Sequence, residues 1–399
     1  MLFDLAAARF LISDLGRAAA VELEGKDTAS ISLAKSLRKK FPAAFARALI
    51  DQESGRRSLR GKHPRASELF ASKVAAEQSS AFEIASWRAR RFEGCGLVAD
   101  IGCGIGIDSE ALAQRGPVIA VDADPGKLVL ARANLEGAPH ETWFVRALVP
   151  PLPAEVDYFF ADPDRRIDGR RQVDPEKGSP ALSILLREVK SRRGMGVKLA
   201  PGLPIDSIQE FGELEFISRH RQLREAVLWT GELATVNRRV SCPDSGLSLT
   251  GDPKEEARST DHLGRFLLEP DPALSRSKLF AAATAGTDIE MLRGAHGYAT
   301  VDEPFETPWF KLWPVETTLK ADAARLNAHL RDRGVGRVDL SRRGVDADMK
   351  DWARKLRTPG KPSVGRQIHF VNLEGRVRCV VAEIPNSLDG DGTHRSNRG

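Results

Sequence analysis

Residues 98–113, VADIGCGIGIDSEALA, set Asp100, Gly102, Cys103, Gly104 and Gly106 between an apolar run and a helical pattern. Glycines let a chain turn sharply and bring its backbone close to a ligand. The helix that follows points free N–H groups at whatever sits in the turn. A dinucleotide fingerprint, G-x-G-x-x-G, needs a third glycine where this chain has Ile107. A carboxylate at Asp100 would also repel a pyrophosphate, and it suits a ligand with a cationic amino group. The turn therefore points away from NAD and toward a zwitterionic nucleoside such as S-adenosylmethionine. Asp100, Gly102, Cys103, Gly104 and Gly106 are expected at its methionine end, with Cys103 a small buried side chain rather than a redox group. Gly106 has a second reading, close helix–strand packing. The next apolar run, VIAVDADP, delivers Asp122 and Ala123 to the same edge, where an acid can accept both ribose hydroxyls.

The pattern D-x-G-x-G-x-G followed by V-D-x-D-P resembles the cofactor site of class I S-adenosylmethionine-dependent methyltransferases. One departure concerns adenine. Many such enzymes carry an acid after the third strand, whereas this chain has Ala147 and Leu148, leaving adenine to backbone groups or to packing on Leu148. A further apolar run, VDYFFADPDRR, brings Asp162 and Pro163 to the carboxyl edge of the sheet. That position resembles the catalytic loop of nucleic-acid and amino-group methyltransferases. The resemblance implies that Asp162 and the Pro163 carbonyl accept hydrogen bonds from a target amine and aim its lone pair at the methyl group. The usual aromatic after the proline is missing. Arg165 is placed to stack on a base instead, and Arg165 or Arg166 to pair with phosphate. Asp162 as a turn cap, with solvated arginines, is the competing reading. Lys198, ending VKLAPG's strand, either meets a substrate phosphate or caps a carbonyl. Glu225 is expected to pair with an arginine across its hairpin.

The elements that position these residues follow a strand–helix rhythm from residue 97 onward. It predicts an α/β fold with a Rossmann-like, mostly parallel sheet covered on both faces and closed by an antiparallel edge hairpin, ELEFISR with LREAVLWTG. Residues 1–92 read as a helical region, and Pro42 is expected to open one of its helices from the first position. Residues 93–245 form the catalytic domain, and 246–265 a linker or long loop. Residues 266–384 form a smaller α+β region, and 385–399 a disordered tail. The 399 residues carry a formal net charge of +5, concentrated in residues 1–92, where 17 Lys and Arg face 10 Asp and Glu. Arg56, Arg57, Arg60, Lys62 and Arg65 fall in a stretch without acids, expected as a basic loop or frayed helix that guides a polyanion. Four scattered cysteines exclude a zinc or disulfide framework and fit a reducing cytoplasm. No membrane span or secretion signal is visible, and the eight histidines show no metal spacing, so no metal is expected. Cys242 and Cys379 lie outside any Pro-Cys loop, which argues against methylation through a cysteine nucleophile. Trp309 and Trp313 read as core.

The DPDRR loop, the following GRRQVDPEKGSPAL and VKLAPG, with WRARRF at 87–92 and LEPDPALSRSKL at 268–279, narrow the resemblance. Together they are similar to a bacterial family with a class I methyltransferase domain, a small ferredoxin-like segment and a THUMP-like domain. LSRRG at 340–344 and WARKLRTPG at 352–360 match that module's arginine-rich stretches. The resemblance implies a methyltransferase acting on RNA, a base amino group favoured, with RNA as partner. Methylation of a protein or small molecule, and RNA binding without catalysis, are the alternatives.

Overall fold

In the computed structural model the described residues are 4–147, 153–167 and 170–384, with 166, 167, 170 and 171 described by backbone alone. The chain divides into two compact units, Met1–Thr250 and Gly251–Gly399.

The first unit holds a nine-stranded sheet. Its parallel core is β1 (Val98–Ile101), β2 (Val118–Asp122), β3 (Thr142–Arg146) and β4 (Tyr158–Ala161), joined by β7 (Gly194–Leu199). Two-residue strands β5 (Arg166–Ile167) and β6 (Arg170–Arg171) pair as a separate ribbon after β4. β8 (Glu213–Arg219), β9 (Gln222–Gly231), β10 (Arg238–Cys242) and β11 (Leu247–Thr250) complete the large sheet, in the order 11-10-8-9-7-4-1-2-3. Every residue of β1, β2, β4 and β7 is buried, as a parallel strand covered on both faces must be. β9 runs antiparallel to both β7 and β8. It is thus a reversed strand inserted into the 3-2-1-4-5-6 order of a doubly wound sheet. The antiparallel β8–β9 hairpin forms where it was expected but not at the edge. β10 adds parallel to β8, and β11 adds antiparallel to β10, so the edge lies two strands further out. The segment 246–265, expected as linker or long loop, carries β11 in this sheet and the short β12 (Ser259–Thr260) in the next.

Residues 5–89 fold into six α-helices, and Pro42 stands as the N-cap of Ala43–Leu59 rather than as its first residue. Their apolar faces join the sheet in one continuous core: Leu11, Leu49, Leu69 and Ile84 pack in the same cluster as Val98, Val118, Phe160 and Trp229. Polar contacts pin the same interface. Trp87 Nε1 donates to Glu215 at 2.9 Å, Arg91 pairs with Glu213, and Arg88 pairs with Glu225. The WRARRF motif therefore clamps the last helix, Phe82–Ala89, to the β8–β9 pair. Glu225 finds its arginine on that helix, not across the hairpin, because Arg88 enters the core from above the strands.

The basic stretch is helical through Leu59 and runs on through turns from Arg60, as a loop or frayed helix would. Ala43–Leu59 continues through Arg56 and Arg57, whose guanidinium groups donate to the Leu69 and Lys26 carbonyls. Lys62 Nζ donates to the Ala76 and Glu77 carbonyls, and Arg65 pairs with Glu110 at 2.7 Å. Only Arg60 of this group is exposed. These cations satisfy backbone carbonyls left by turns and helix ends, a need that charge counting does not reveal.

The second unit holds an eight-stranded sheet in the order 12-14-15-13-16-19-18-17. Its members are β12, β13 (Phe266–Pro270), β14 (Glu290–Leu292), β15 (Ala299–Val301), β16 (Phe310–Lys320), β17 (Val335–Arg342), β18 (Lys361–Leu373) and β19 (Arg376–Glu383). The α+β expectation for 266–384 is met by these strands with the helices Pro272–Ser277, Phe280–Thr284, Ala323–Asp332 and Met349–Lys355. Within LEPDPALSRSKL, Asp271 caps Pro272–Ser277 by accepting from the Ala273 amide at 2.7 Å. Trp313 is buried in this unit's core. The expected tail, 385–399, lies outside the described residues.

A shared core in the first unit has a measurable consequence. Leu49→Ala should cost about 2–5 kcal/mol. Native-state hydrogen exchange should then lose protection in β1 and β4 together with the N-terminal helices. Loss confined to the amides of residues 5–89 would contradict a single core.

Candidate active site

A cavity of about 510 Å³ opens at the carboxyl ends of β1, β2, β4 and β7, within the roughly 300–1,000 Å³ typical of small-molecule sites. This is the crevice where the sheet order reverses between β1 and β4, the usual ligand position of an open α/β sheet. Gly102, Cys103, Gly104, Asp122, Ala123, Asp162, Pro163, Arg165 and Lys198 all line it.

The glycine turn brackets this space. Gly102 has φ +79°, and a Cβ there would stand 2.8 Å from the Asp162 carbonyl oxygen. Gly104, φ +58°, has open space where its side chain would be. Gly106 does not line the cavity. A Cβ there would strike Leu135 and Ala131 of the helix Pro125–Asn134 and its end, so this glycine serves helix packing. Cys103 is buried against Ala120 and Leu128, and burial pushes its thiol well above the ordinary range, which suits an inert filler.

Asp122 accepts the Gly104 amide on Oδ2 at 2.9 Å and the Asp124 amide on Oδ1 at 2.8 Å. A carboxylate has about four lone-pair sites, so two remain for hydroxyl donors. The Ala147 amide donates to the Asp122 carbonyl, and Ala147 lines the cavity. Leu148 lies outside the described residues, as does the side chain of Arg166. Arg165 is buried at the wall.

Asp100 is not at the wall. It is fully buried behind the turn, accepts from Ser109 Oγ, and leaves Oδ1 without a partner. Desolvation first, then the charges of Asp108 and Asp162, push its carboxyl up to about 8, while the Ser109 hydrogen bond and Arg88 oppose this only in part. The acid that does line the cavity beside the turn is Asp108, at the start of the helix Ile107–Leu112, paired with Arg88. Sequence reasoning passed over it, although its place in the first helical turn was the available signal. Also missed were Glu77, Gln78 and Ser79, which make the N-terminal region a cavity wall. Arg56, Arg57, Arg60 and Lys62 do not reach the cavity.

Asp162 opens the loop after β4 and lines the cavity. Its amide donates to the Ile101 carbonyl at 3.0 Å, and its Oδ2 meets Lys198 Nζ at 2.7 Å. Lys198 is buried and also donates to Ser80 Oγ at 3.1 Å. Among the described residues no cluster of three or more His, Cys, Asp or Glu is placed to hold a metal ion, and no helix is long and apolar enough to cross a membrane.

The state of Asp100 predicts a pH dependence. Unfolded, it ionises above its ordinary 3.8; folded, it stays protonated up to about 8. Between these values the folded chain holds the extra proton, so this group's contribution to stability falls as pH rises. Asp100→Asn should therefore gain stability relative to the native sequence in urea unfolding from about pH 4 to about pH 8. Parallel curves over that window would contradict the assignment.

The family described as THUMP domain-like matches residues 310–382. In two strains of Mycobacterium tuberculosis, a protein named as an uncharacterized S-adenosylmethionine-dependent methyltransferase is 31% identical over 292 residues, covering 72% of this chain and 80% of the relative. A crystal structure from Porphyromonas gingivalis W83, described as that of a methyltransferase, superposes with a TM-score of 0.74 at 18% identity, over 96% of this chain and 99% of the other. With its glycine turn at the sheet's carboxyl edge and this relationship along most of its length, the chain belongs to the S-adenosylmethionine-dependent methyltransferases.

Proposed function

We propose that this methyltransferase acts on RNA, at an amino group of a base. The observation that carries the reading is the meeting, in one cavity, of the cofactor turn with the Asp162-Pro163 loop. S-adenosylmethionine, when bound, supplies a methyl group on a sulfonium. The open space beside Gly104 leaves room for its methionine end, and the spare lone pairs of Asp122 suit its ribose hydroxyls. Ala123 and Ala147 border the same space, with adenine left to backbone groups. Asp162 and the Pro163 carbonyl accept the N–H groups of the target amine and hold its lone pair toward the methyl carbon. The bound cofactor would supply the methyl and its sulfur would keep the carbon–sulfur bonding pair, while the Asp162 carboxylate would pass the nitrogen's displaced proton to water.

Two features support RNA as the substrate. One is the THUMP domain-like match at 310–382. The other is charge: this segment holds 16 Lys and Arg against 8 Asp and Glu. A net of +8 in a small module favours a polyanion. Guidance of RNA thus falls to the C-terminal module rather than to Arg56, Arg57 and Lys62, which are engaged within their own unit. Arg165, and Arg166 beside it, are the proposed phosphate or base contacts near the methyl acceptor.

Labelled cofactor incubated with total RNA, total protein and DNA tests the substrate class. Label is expected in RNA, and Asp162→Ala should lower incorporation about 100-fold or more while cofactor binding by calorimetry persists. Label confined to protein would replace RNA by a protein substrate. Label in no fraction would favour the non-catalytic RNA-binding reading.

A further inference from the structure

Lys198 sits at the ligand edge of the sheet, where a lysine is easily read as a phosphate contact. Its surroundings argue otherwise. The side chain is 7% exposed and ends between two partners, Asp162 Oδ2 at 2.7 Å and Ser80 Oγ at 3.1 Å. Ser80 is itself held by Arg88 at 2.9 Å, and Arg88 is clamped by Asp108 and Glu225. The guanidinium also lies over the Phe160 ring at 4.9 Å. A line of contacts thus runs from Glu225 on β9, through the N-terminal helical region, to the acceptor loop after β4.

We infer that Lys198 is a positioning residue for methyl transfer: anchored by Ser80, it fixes the Asp162 carboxylate through Oδ2 and leaves Oδ1 for the incoming amine. The inference rests on the reading of Asp162 given above. A buried ammonium requires partners, and this one has them inside the protein. Two of its three N–H groups are already taken by Ser80 and Asp162. With Oδ2 engaged, the carboxylate loses its freedom to rotate about the Cβ–Cγ bond. The accepting oxygen is then set before substrate arrives, which is how a side chain that never touches substrate raises the fraction of productive encounters. The helical region contributes to this geometry through Ser80 and Arg88. It is part of the catalytic unit rather than an appended binding arm.

The test is a double-mutant cycle on the full chain. It uses labelled S-adenosylmethionine and whichever fraction accepts label in the preceding experiment. Lys198→Met should lower kcat about 100-fold with the cofactor KM and calorimetric affinity changed by less than about 2-fold, and Lys198→Arg should recover part of the loss. Asp162→Asn/Lys198→Met should be no slower than Asp162→Asn, because both changes remove one interaction. Two single losses that multiply in the double variant would mean that Lys198 acts on substrate directly and would overturn the inference. Should Lys198→Met fail to fold, Ser80→Ala decides: a kcat lowered about 10-fold at unchanged cofactor affinity supports the anchor, and an unchanged kcat overturns it. A native rate for Asp162→Asn alone would remove the reading of Asp162 itself, and with it this role for Lys198.

Discussion

The backbone of Asp162 lies directly against Gly102, and the rest of the site depends on that contact. β1 and β4 pair in parallel with Ile101 opposite Ala161, and the next amide, that of Asp162, continues the ladder onto the Ile101 carbonyl. The two chains then diverge, one into the cofactor turn and one into the acceptor loop. A Cβ at position 102 would stand 2.8 Å from the Asp162 carbonyl oxygen, so only glycine lets them run this close. The separation of the glycine turn from the loop after β4 is therefore built into strand pairing, not into flexible side chains.

Charge is distributed around this contact with little waste. Asp100 is buried without a cation of its own, and desolvation holds it protonated into the neutral range. Asp108 and Glu225 share Arg88, and Asp162 takes Lys198. Unpaired, any of these buried or half-buried groups would be costly, and removing one partner strands the other. Of the acids on the cavity wall, Asp108 and Asp162 are thus matched by cations, while Asp122 accepts two backbone amides, and Asp100 behind the turn is neutral rather than a charge facing a ligand.

The N-terminal helices change their meaning once folded. Their positive charge reads as a polyanion-binding arm, yet their arginines and Lys62 cap carbonyls, pair with Glu110 and brace the sheet. Their other product is a wall of the cavity and the serine that holds Lys198. Residues 310–382 carry Lys and Arg in a two-to-one excess over acids, while Lys35, Arg38, Lys39 and Arg47 of the N-terminal helices also stay exposed.

What the sequence determined by itself was local. The glycine spacing, the acids that end β2 and β4, and the lysine that ends β7 were legible, because alternation of short buried strands with helices implies a parallel sheet whose carboxyl ends lie together. The reversed β9 was legible as half of a hairpin, but its insertion between β7 and β8 was not, since chain order does not say which strand of the hairpin pairs with β7. Tertiary structure alone decided the partners: Lys198 with Asp162 across 36 residues, Lys198 with Ser80 across 118, Arg88 with Glu225 across 137. It also withdrew Asp100 and Gly106 from the cavity wall and put Asp108 there. Such pairings are selected by the cost of leaving buried charges unmet, and that cost arises only when distant segments have excluded water together.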